Sequence, residues 1–150
     1  MASRRRQAKK LTKVRAAAVI CSECKRYAGL VTGELVYPNR RYLWAKKVWR
    51  CCYCPDSYVG CHPGTEVALG TPAGVETRRA RRSAHLAFDD LWRRKMERDA
   101  CEKFEARHAA YQWLADQLGI NVQDCHIGAM DIATAMRVVE FCAPYQRRAA

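Results

Sequence analysis

The sequence predicts an α+β protein in which a small N-terminal β ribbon precedes a C-terminal region of three helices. Three observations support this: two closely spaced cysteine pairs within the first 54 residues, short β-prone segments around them, and helical apolar periodicity after residue 75. The 150 residues amount to about one domain, and 49% apolar with 28% charged residues is typical of a globular protein. We therefore divide the chain into an arm at 1–15, a ribbon at 16–62, a linker at 63–75 and a helical region at 76–150.

The arm is strongly basic. It contains seven Lys and Arg residues and no acidic residue, so charge repulsion and the scarcity of apolar side chains predict a flexible segment. The composition of this start is also that of a mitochondrial presequence, whereas the apolar run at 16–21 is too short for a secretory signal. We expect a cytoplasmic protein. The arm residues predicted to contact phosphate groups are Arg4, Arg5, Arg6, Lys9 and Lys10.

Charge is unevenly distributed along the chain. The net charge is +12, of which residues 1–62 carry +11 and residues 63–150 carry +1. A concentrated positive field attracts polyanions and speeds their encounter, and nucleic acid is the most common such partner. The longest apolar run has six residues, far fewer than the ~20 that cross a bilayer, so no membrane partner is predicted.

The ribbon consists of short β-prone segments. We place them at 16–20, 27–37, 42–50 and 57–60, with turn residues between them. None of these segments carries enough apolar side chains to build a core. Another source of stability is therefore required.

Two cysteine pairs provide that source. Cys21-x2-Cys24 and Cys51-x2-Cys54 each place two thiolates on a tight turn, and together they supply the four sulfurs that a structural Zn²⁺ prefers. One zinc ion bound in this way makes the β segments a zinc ribbon and leaves no open position for catalysis. Three neighbouring side chains could replace one of these ligands: Cys52, Cys61 and His62.

Basic and aromatic residues alternate in the segment 42–50. Strand geometry would place Tyr42, Trp44 and Lys46 on one face. Aromatic rings flanked by cations stack bases and hold phosphates of single strands, although Trp49 could instead cover the core of the ribbon. The candidate nucleic-acid contacts here are Arg40, Arg41, Tyr42, Trp44, Lys46 and Lys47.

Beyond residue 75 the sequence predicts three helices. The first two cover about 76–97 and 100–118, the second ending at Gly119, and Asp131 is the predicted N-cap of a third helix that ends before Pro144. The predicted apolar faces are, in order, Ala80, Ala84, Ala87, Phe88, Leu91, Trp92 and Met96; Phe104, His108, Tyr111, Leu114 and Leu118; and Ile132, Met136, Val139 and Cys142.

Five motifs occur in order between residues 58 and 131: YVGCHPGT (58–65), LGT (69–71), RRSAHLAFDDLW (81–92), YQWLADQLGI (111–120) and CHIGAMD (125–131). Together they resemble a family of small zinc-finger-containing proteins of unassigned function, found mostly in phages and prophages. The resemblance implies zinc, held by the first cysteine pair and by the cysteine group before YVGCH. The ribbon is also similar to the zinc ribbons at the tails of type IA topoisomerases, which bind single-stranded DNA.

These observations predict a non-enzymatic accessory protein of a phage or prophage that is stabilised by zinc and binds nucleic acid. Single-stranded DNA is the favoured partner. No Ser-His-Asp order, Walker loop or Rossmann glycine pattern is present. The alternative is a protein-binding modulator of a host machine such as RNA polymerase, with the ribbon as its docking surface. The helices would form a rigid platform or a homodimer surface.

Overall fold

A computed structural model describes residues 18–146, in which a three-stranded antiparallel sheet precedes a group of helices. The predicted α+β class is confirmed. We use "zinc module" for residues 18–62, "connecting segment" for 63–74 and "helix module" for 75–146. The regular elements are β1 (Ala28–Thr32), α1 (Gly33–Val36), β2 (Lys47–Cys51), β3 (Tyr58–Gly60), α2 (Val75–Asp99), α3 (Lys103–Leu118) and α4 (Ile132–Cys142).

The sheet has the strand order β1-β2-β3, with β2 in the centre. Ala28 pairs with Cys51 at one end of the β1–β2 ladder, so the register brings the second cysteine pair close to the start of β1. Within the described part of the zinc module, the buried apolar side chains are Cys21, Val48 and Cys51. So small a core cannot stabilise the sheet alone, which agrees with the need for a metal.

The predicted strand at 42–50 is wrong over its first half. Arg41–Leu43 form a 3₁₀ turn, and extended backbone begins only at β2. The reason is the close approach of this turn to Gly33, where a Cβ would overlap the Leu43 carbonyl group. Tyr42, Trp44 and Lys46 therefore do not share the face of a strand.

The other predicted strands are shorter than expected. The segment 27–37 is extended only in β1 and then turns into α1. In the described part of the segment 16–20, an isolated bridge from Ile20 to Tyr27 is the strand-like pairing that forms.

The helix module has one continuous apolar core around α2, which packs against α3 and α4. The predicted apolar face of α2 is confirmed, because its members are buried or pack against the core. None of the helices in residues 18–146 has an apolar stretch long enough to cross a bilayer. The buried core residues are Ala80, Ala84, Phe88, Trp92, Ala106, Leu114, Ala115, Leu118, Cys125, Ile127, Met130, Ala135, Val138 and Cys142.

The buried face of α3 is rotated from the predicted one. Phe104 is 80% exposed and His108 is also exposed, so the first half of the predicted face was wrong. The buried face of α3 instead begins at Ala106. It continues at four-residue intervals through the partly buried Ala110 to Leu114 and Leu118. The small Ala106 side chain is thus fully buried, while the large Phe104 ring at the start of the helix stays outside the core.

The buried face of α4 is also rotated. Ile132 and Met136 are 44% and 42% exposed, whereas Ala135 and Val138 are buried. The predicted N-cap is correct, because the Asp131 carboxylate accepts a hydrogen bond of 2.8 Å from the Thr134 backbone N–H.

Candidate metal centre and its surroundings

Four cysteine sulfur atoms lie together at the end of β2. Those of Cys21, Cys24, Cys51 and Cys54 are all within 4.8 Å of one another, and the Cys24 and Cys51 sulfurs are 3.4 Å apart. A tetrahedral Zn²⁺ with Zn–S bonds of about 2.3 Å needs sulfurs about 3.8 Å apart. The four predicted cysteines are therefore positioned to bind one zinc ion.

Each cysteine pair lies on a turn whose backbone donates to sulfur. The Glu23 N–H donates to Cys21 Sγ at 3.4 Å, and the N–H groups of Tyr53 and Cys54 donate to Cys51 Sγ at 3.3 Å. In the first turn Lys25 has a φ of 62°, which reverses the chain directly after Cys24. Such N–H groups stabilise negative charge on the sulfurs, as a metal-bound thiolate requires.

The centre is buried on one side by Ser57. This residue is fully buried, and its hydroxyl lies 3.1 Å from Cys21 Sγ. Because a thiolate can only accept, the hydroxyl donates to the sulfur when Cys21 is ionised. Cys21 and Cys51 are buried, whereas Cys24 and Cys54 are half-buried and give the site its open side.

The thiols of the cluster have unequal pKa values. Burial raises the pKa of Cys21, but hydrogen bonds from Ser57 and the backbone bring it down to about 7. Hydrogen bonding to Cys24 and burial raise the pKa of Cys54 to about 12. Four thiolates so close together repel one another, so a bound dication is what allows all four to ionise. Zinc binding must therefore release protons and strengthen with rising pH.

The alternative ligands lie outside the cluster. Within residues 18–146, the four cysteines named above form the one group of His, Cys or carboxylate side chains close enough to hold a metal. Cys61 lies just beyond β3, where its backbone pairs with Ala68, and His62 and Cys52 are exposed to solvent.

The basic surface predicted for nucleic acid is partly present. Arg40, Arg41 and Lys46 are exposed, and none of the ion pairs within residues 18–146 involves them. Tyr42 is 78% exposed at the tip of the 3₁₀ turn. The arm residues predicted to join them lie outside the described part of the chain: Arg4, Arg5, Arg6, Lys9 and Lys10.

Two other predicted contact residues are engaged within the protein. Trp44 is half-buried, and its indole N–H donates to the Tyr37 carbonyl at 3.0 Å. The Trp44 ring is also in contact with the Arg41 guanidinium, which lies 5.3 Å from the ring centre. Lys47 forms an ion pair with Glu66. Tyr42 is therefore the aromatic ring of this segment that is open to a ligand.

A buried arginine that sequence reasoning missed joins the two modules. Arg81 is 6% exposed and donates to the Met130 carbonyl at 2.7 Å, the Thr71 carbonyl at 2.7 Å and the Ser22 hydroxyl at 2.8 Å. Ser22 belongs to the first cysteine turn. A signal was available, because Arg81 precedes Ala84 by three residues and so lies on the apolar stripe of α2, where a cation needs partners.

Glu23 makes a second connection between the modules. Its carboxylate accepts from the Gly74 N–H at 3.0 Å and from the Thr77 hydroxyl at 2.7 Å. These hydrogen bonds lower the pKa of Glu23, the Thr77 hydroxyl contributing most. The Glu23 carboxylate thus accepts from the backbone N–H of Gly74, the N-cap of α2, and places a negative charge at the N-terminal end of that helix, where the helix dipole favours it.

The connecting segment closes the junction. The Thr71 N–H donates to the Gly128 carbonyl at 3.0 Å, and the Ser22 N–H donates to the Pro72 carbonyl at 2.9 Å. A Cβ at Gly70 would overlap the backbone of Gly128, so only glycine permits this approach. Residues far apart in sequence thus hold the cysteine turns against α2.

A family model described as a zinc-finger-containing domain matches residues 17–145. No curated protein and no solved structure matches the chain. The family match extends over both modules, so it describes the ribbon and the helices as one unit.

Proposed function

The chain belongs to this zinc-finger-containing family, and we propose that it is a non-enzymatic nucleic-acid-binding accessory protein, encoded by a phage or prophage. The observation that carries the proposal is the exposed surface of Arg40, Arg41, Tyr42 and Lys46. We call these four residues the ribbon surface.

A structural role for the zinc ion follows from its ligands. Four thiolates complete a tetrahedral shell, whereas a catalytic zinc keeps one position for water or substrate. The ion would therefore act through the fold, by fixing the two cysteine turns and with them the sheet that carries the ribbon surface.

Charge and exposure support nucleic acid as the partner. The three cations of the ribbon surface have no acidic partner within residues 18–146, so their charge is available to phosphates. The exposed Tyr42 ring offers a face on which a base can stack. Stacking requires an unpaired base, so we propose single-stranded DNA as the preferred form.

The proposal is tested by fluorescence anisotropy with labelled single- and double-stranded oligonucleotides over a range of salt concentrations. The wild-type protein should bind single strands, and the logarithm of its affinity should fall steeply with the logarithm of salt. Arg40→Ala/Arg41→Ala should weaken binding about tenfold and reduce the salt slope by about 1.4, since each phosphate contact on a single strand contributes about 0.7.

The matched control is Arg79→Ala/Arg93→Ala. It removes two charges from exposed positions of α2 whose arginines pair with Glu76 and Asp89. If both double variants lose affinity equally, the ribbon surface is not the contact and only net charge matters. If the zinc-loaded wild-type protein binds no oligonucleotide near physiological salt, the proposed function is wrong, and a protein partner for the ribbon becomes the leading candidate.

A further inference from the structure

A groove lies between the zinc module and the helix module. It has a volume of about 980 Å³ and is bounded by β3, the connecting segment, α2, α3 and the turn at Ile127–Ala129. None of the described residues that line it is Asp or Glu. Its polar lining instead includes four arginines, Arg78, Arg81, Arg82 and Arg107, and three histidines, His62, His85 and His126.

The arginines of the groove have different roles. Arg81 is buried by the junction described above, and Arg78 donates to backbone carbonyls while lying 3.9 Å from the centre of the Tyr58 ring. Arg82 and Arg107 are exposed, and neither takes part in an ion pair within residues 18–146. These two arginines, one on α2 and one on α3, are the cations that a ligand in the groove can reach.

The groove continues into a second cavity of about 570 Å³ at the start of α3. The two cavities share Arg107, Tyr111 and His126. Phe104 also lines the second cavity, and its side chain is 80% exposed. The Phe104 ring lies nearly parallel to the His108 ring, with ring centres 6.1 Å apart and an angle of 14° between the planes. Such an exposed ring beside a cation-lined groove is typical of sites where bases stack.

We propose that this groove binds the phosphates of a single-stranded nucleic acid and that a base stacks on Phe104 in the adjoining cavity. The inference rests on the proposed function and deepens it, because it adds a second contact surface formed by both modules together. The helix module has almost no net charge, so composition gave no indication of it.

Two features favour a nucleic acid over an acidic protein segment. The described lining of the groove contains no carboxylate, so it suits a continuous polyanion in which every repeating unit carries a negative charge. The aromatic lining at one end suits flat, unpaired bases, which alternate with phosphates at each nucleotide. A duplex would keep its bases stacked on one another and away from Phe104.

The test uses the zinc-loaded full chain and the anisotropy assay described above. Arg82→Ala/Arg107→Ala should weaken binding to a single-stranded oligonucleotide about tenfold and lower the salt slope by about 1.4, whereas Arg79→Ala/Arg93→Ala should do neither. Phe104→Ala should weaken binding about tenfold without changing the salt slope, and Leu86→Ala, another exposed apolar residue on a helix, should leave it unchanged. Zinc content and far-ultraviolet circular dichroism confirm that each variant is folded.

The outcomes separate this inference from the proposed function. Wild-type binding that the groove variants leave unchanged, while Arg40→Ala/Arg41→Ala weakens it, would overturn the groove and keep the function. An absence of wild-type binding would overturn both. Displacement of the oligonucleotide by polyglutamate at equal charge concentration, or tighter binding of duplex than of single strand, would contradict a single-stranded nucleic acid as the occupant.

Discussion

The zinc module and the helix module reach a folded state by different physical means. In the described part of the zinc module, two of the three buried apolar side chains are the metal-binding Cys21 and Cys51. In the helix module a continuous core of aliphatic and aromatic side chains joins α2, α3 and α4. Metal coordination thus stabilises the zinc module as hydrophobic burial stabilises the helix module. Removal of the metal should therefore affect mainly the zinc module, and a cavity in the core should affect mainly the helix module.

The junction limits that independence. Arg81 and Glu23 connect the first cysteine turn to α2 through hydrogen bonds that neither module could satisfy alone. Loss of the metal should therefore also remove the partners that the first cysteine turn provides for two groups of the helix module, the Thr77 hydroxyl and the Arg81 guanidinium. The difference between the modules can be tested with substitutions that act on one module, on the other and on the junction.

The largest effect is expected from removal of a zinc ligand. Cys24→Ser should abolish stoichiometric zinc binding and unfold the zinc module, because structural zinc contributes about 10–16 kcal/mol in zinc-finger peptides. The helices should remain, as measured by far-ultraviolet circular dichroism alongside metal analysis. Cys52→Ser, which changes an exposed neighbour of the site, should keep one zinc per chain. Full zinc content in Cys24→Ser would contradict the ligand set.

A cavity in the helix module should have the converse effect. Phe88→Ala removes a fully buried ring that packs against Tyr111, so the free energy of unfolding should fall by about 3–5 kcal/mol. Zinc content in native buffer should stay at one per chain. Leu86→Ala, at a position 66% exposed on the same helix, should change stability by less than about 0.5 kcal/mol. Equal losses in both variants would show that the apolar core is not where α2 gains its stability.

The junction should give an intermediate effect. Arg81→Met fills similar space but leaves the carbonyls of Thr71 and Met130 without their donor, which should cost about 2–3 kcal/mol. Because Arg81 also holds Ser22, zinc transfer to a chelator should become faster than in wild type. Arg82→Met at the neighbouring exposed position is the control. Unchanged transfer kinetics in Arg81→Met would show that the Arg81 contact does not restrain the first cysteine turn.

The smallest effect is expected at the N-cap of α4, which lies far from the zinc ligands in sequence. Asp131→Ala should destabilise the protein by about 1 kcal/mol, whereas Asp131→Asn, which retains an N-cap acceptor, should cost less. Hydrogen bonds from Thr134 lower the pKa of Asp131 in the folded protein. Its contribution is therefore complete above the unfolded pKa of about 3.9 and is lost as pH falls through the lower folded value.

Denaturant titrations of wild type and Asp131→Asn between about pH 6 and pH 3 measure this difference. The stability gap between the two proteins should shrink as the pH falls. A gap that widens toward low pH would mean that the carboxylate is not the stabilised form in the folded state.

Several features of the protein were determined by the sequence alone. The spacing of Cys21, Cys24, Cys51 and Cys54 predicted the cluster that the structure shows, because a two-residue gap sets the distance between two thiolates within one turn, whereas the exclusion of Cys52, Cys61 and His62 required the structure. The apolar period identified α2 and its buried face, and Gly119, with a φ of 68°, ended α3 as predicted. In each case the physics is local, acting between residues a few positions apart.

Other features were decided only by the tertiary structure. The turn at Arg41–Leu43 packs over Gly33, and the buried face of α3 begins at Ala106 and leaves Phe104 exposed. Arg81 finds partners 49 and 59 residues away. The groove is lined by residues that range in sequence from Tyr37 to Ala129 and is formed only when the two modules dock. Sequence periodicity and spacing report interactions along the chain, whereas these contacts depend on distances across it, which are fixed only when the whole chain has packed.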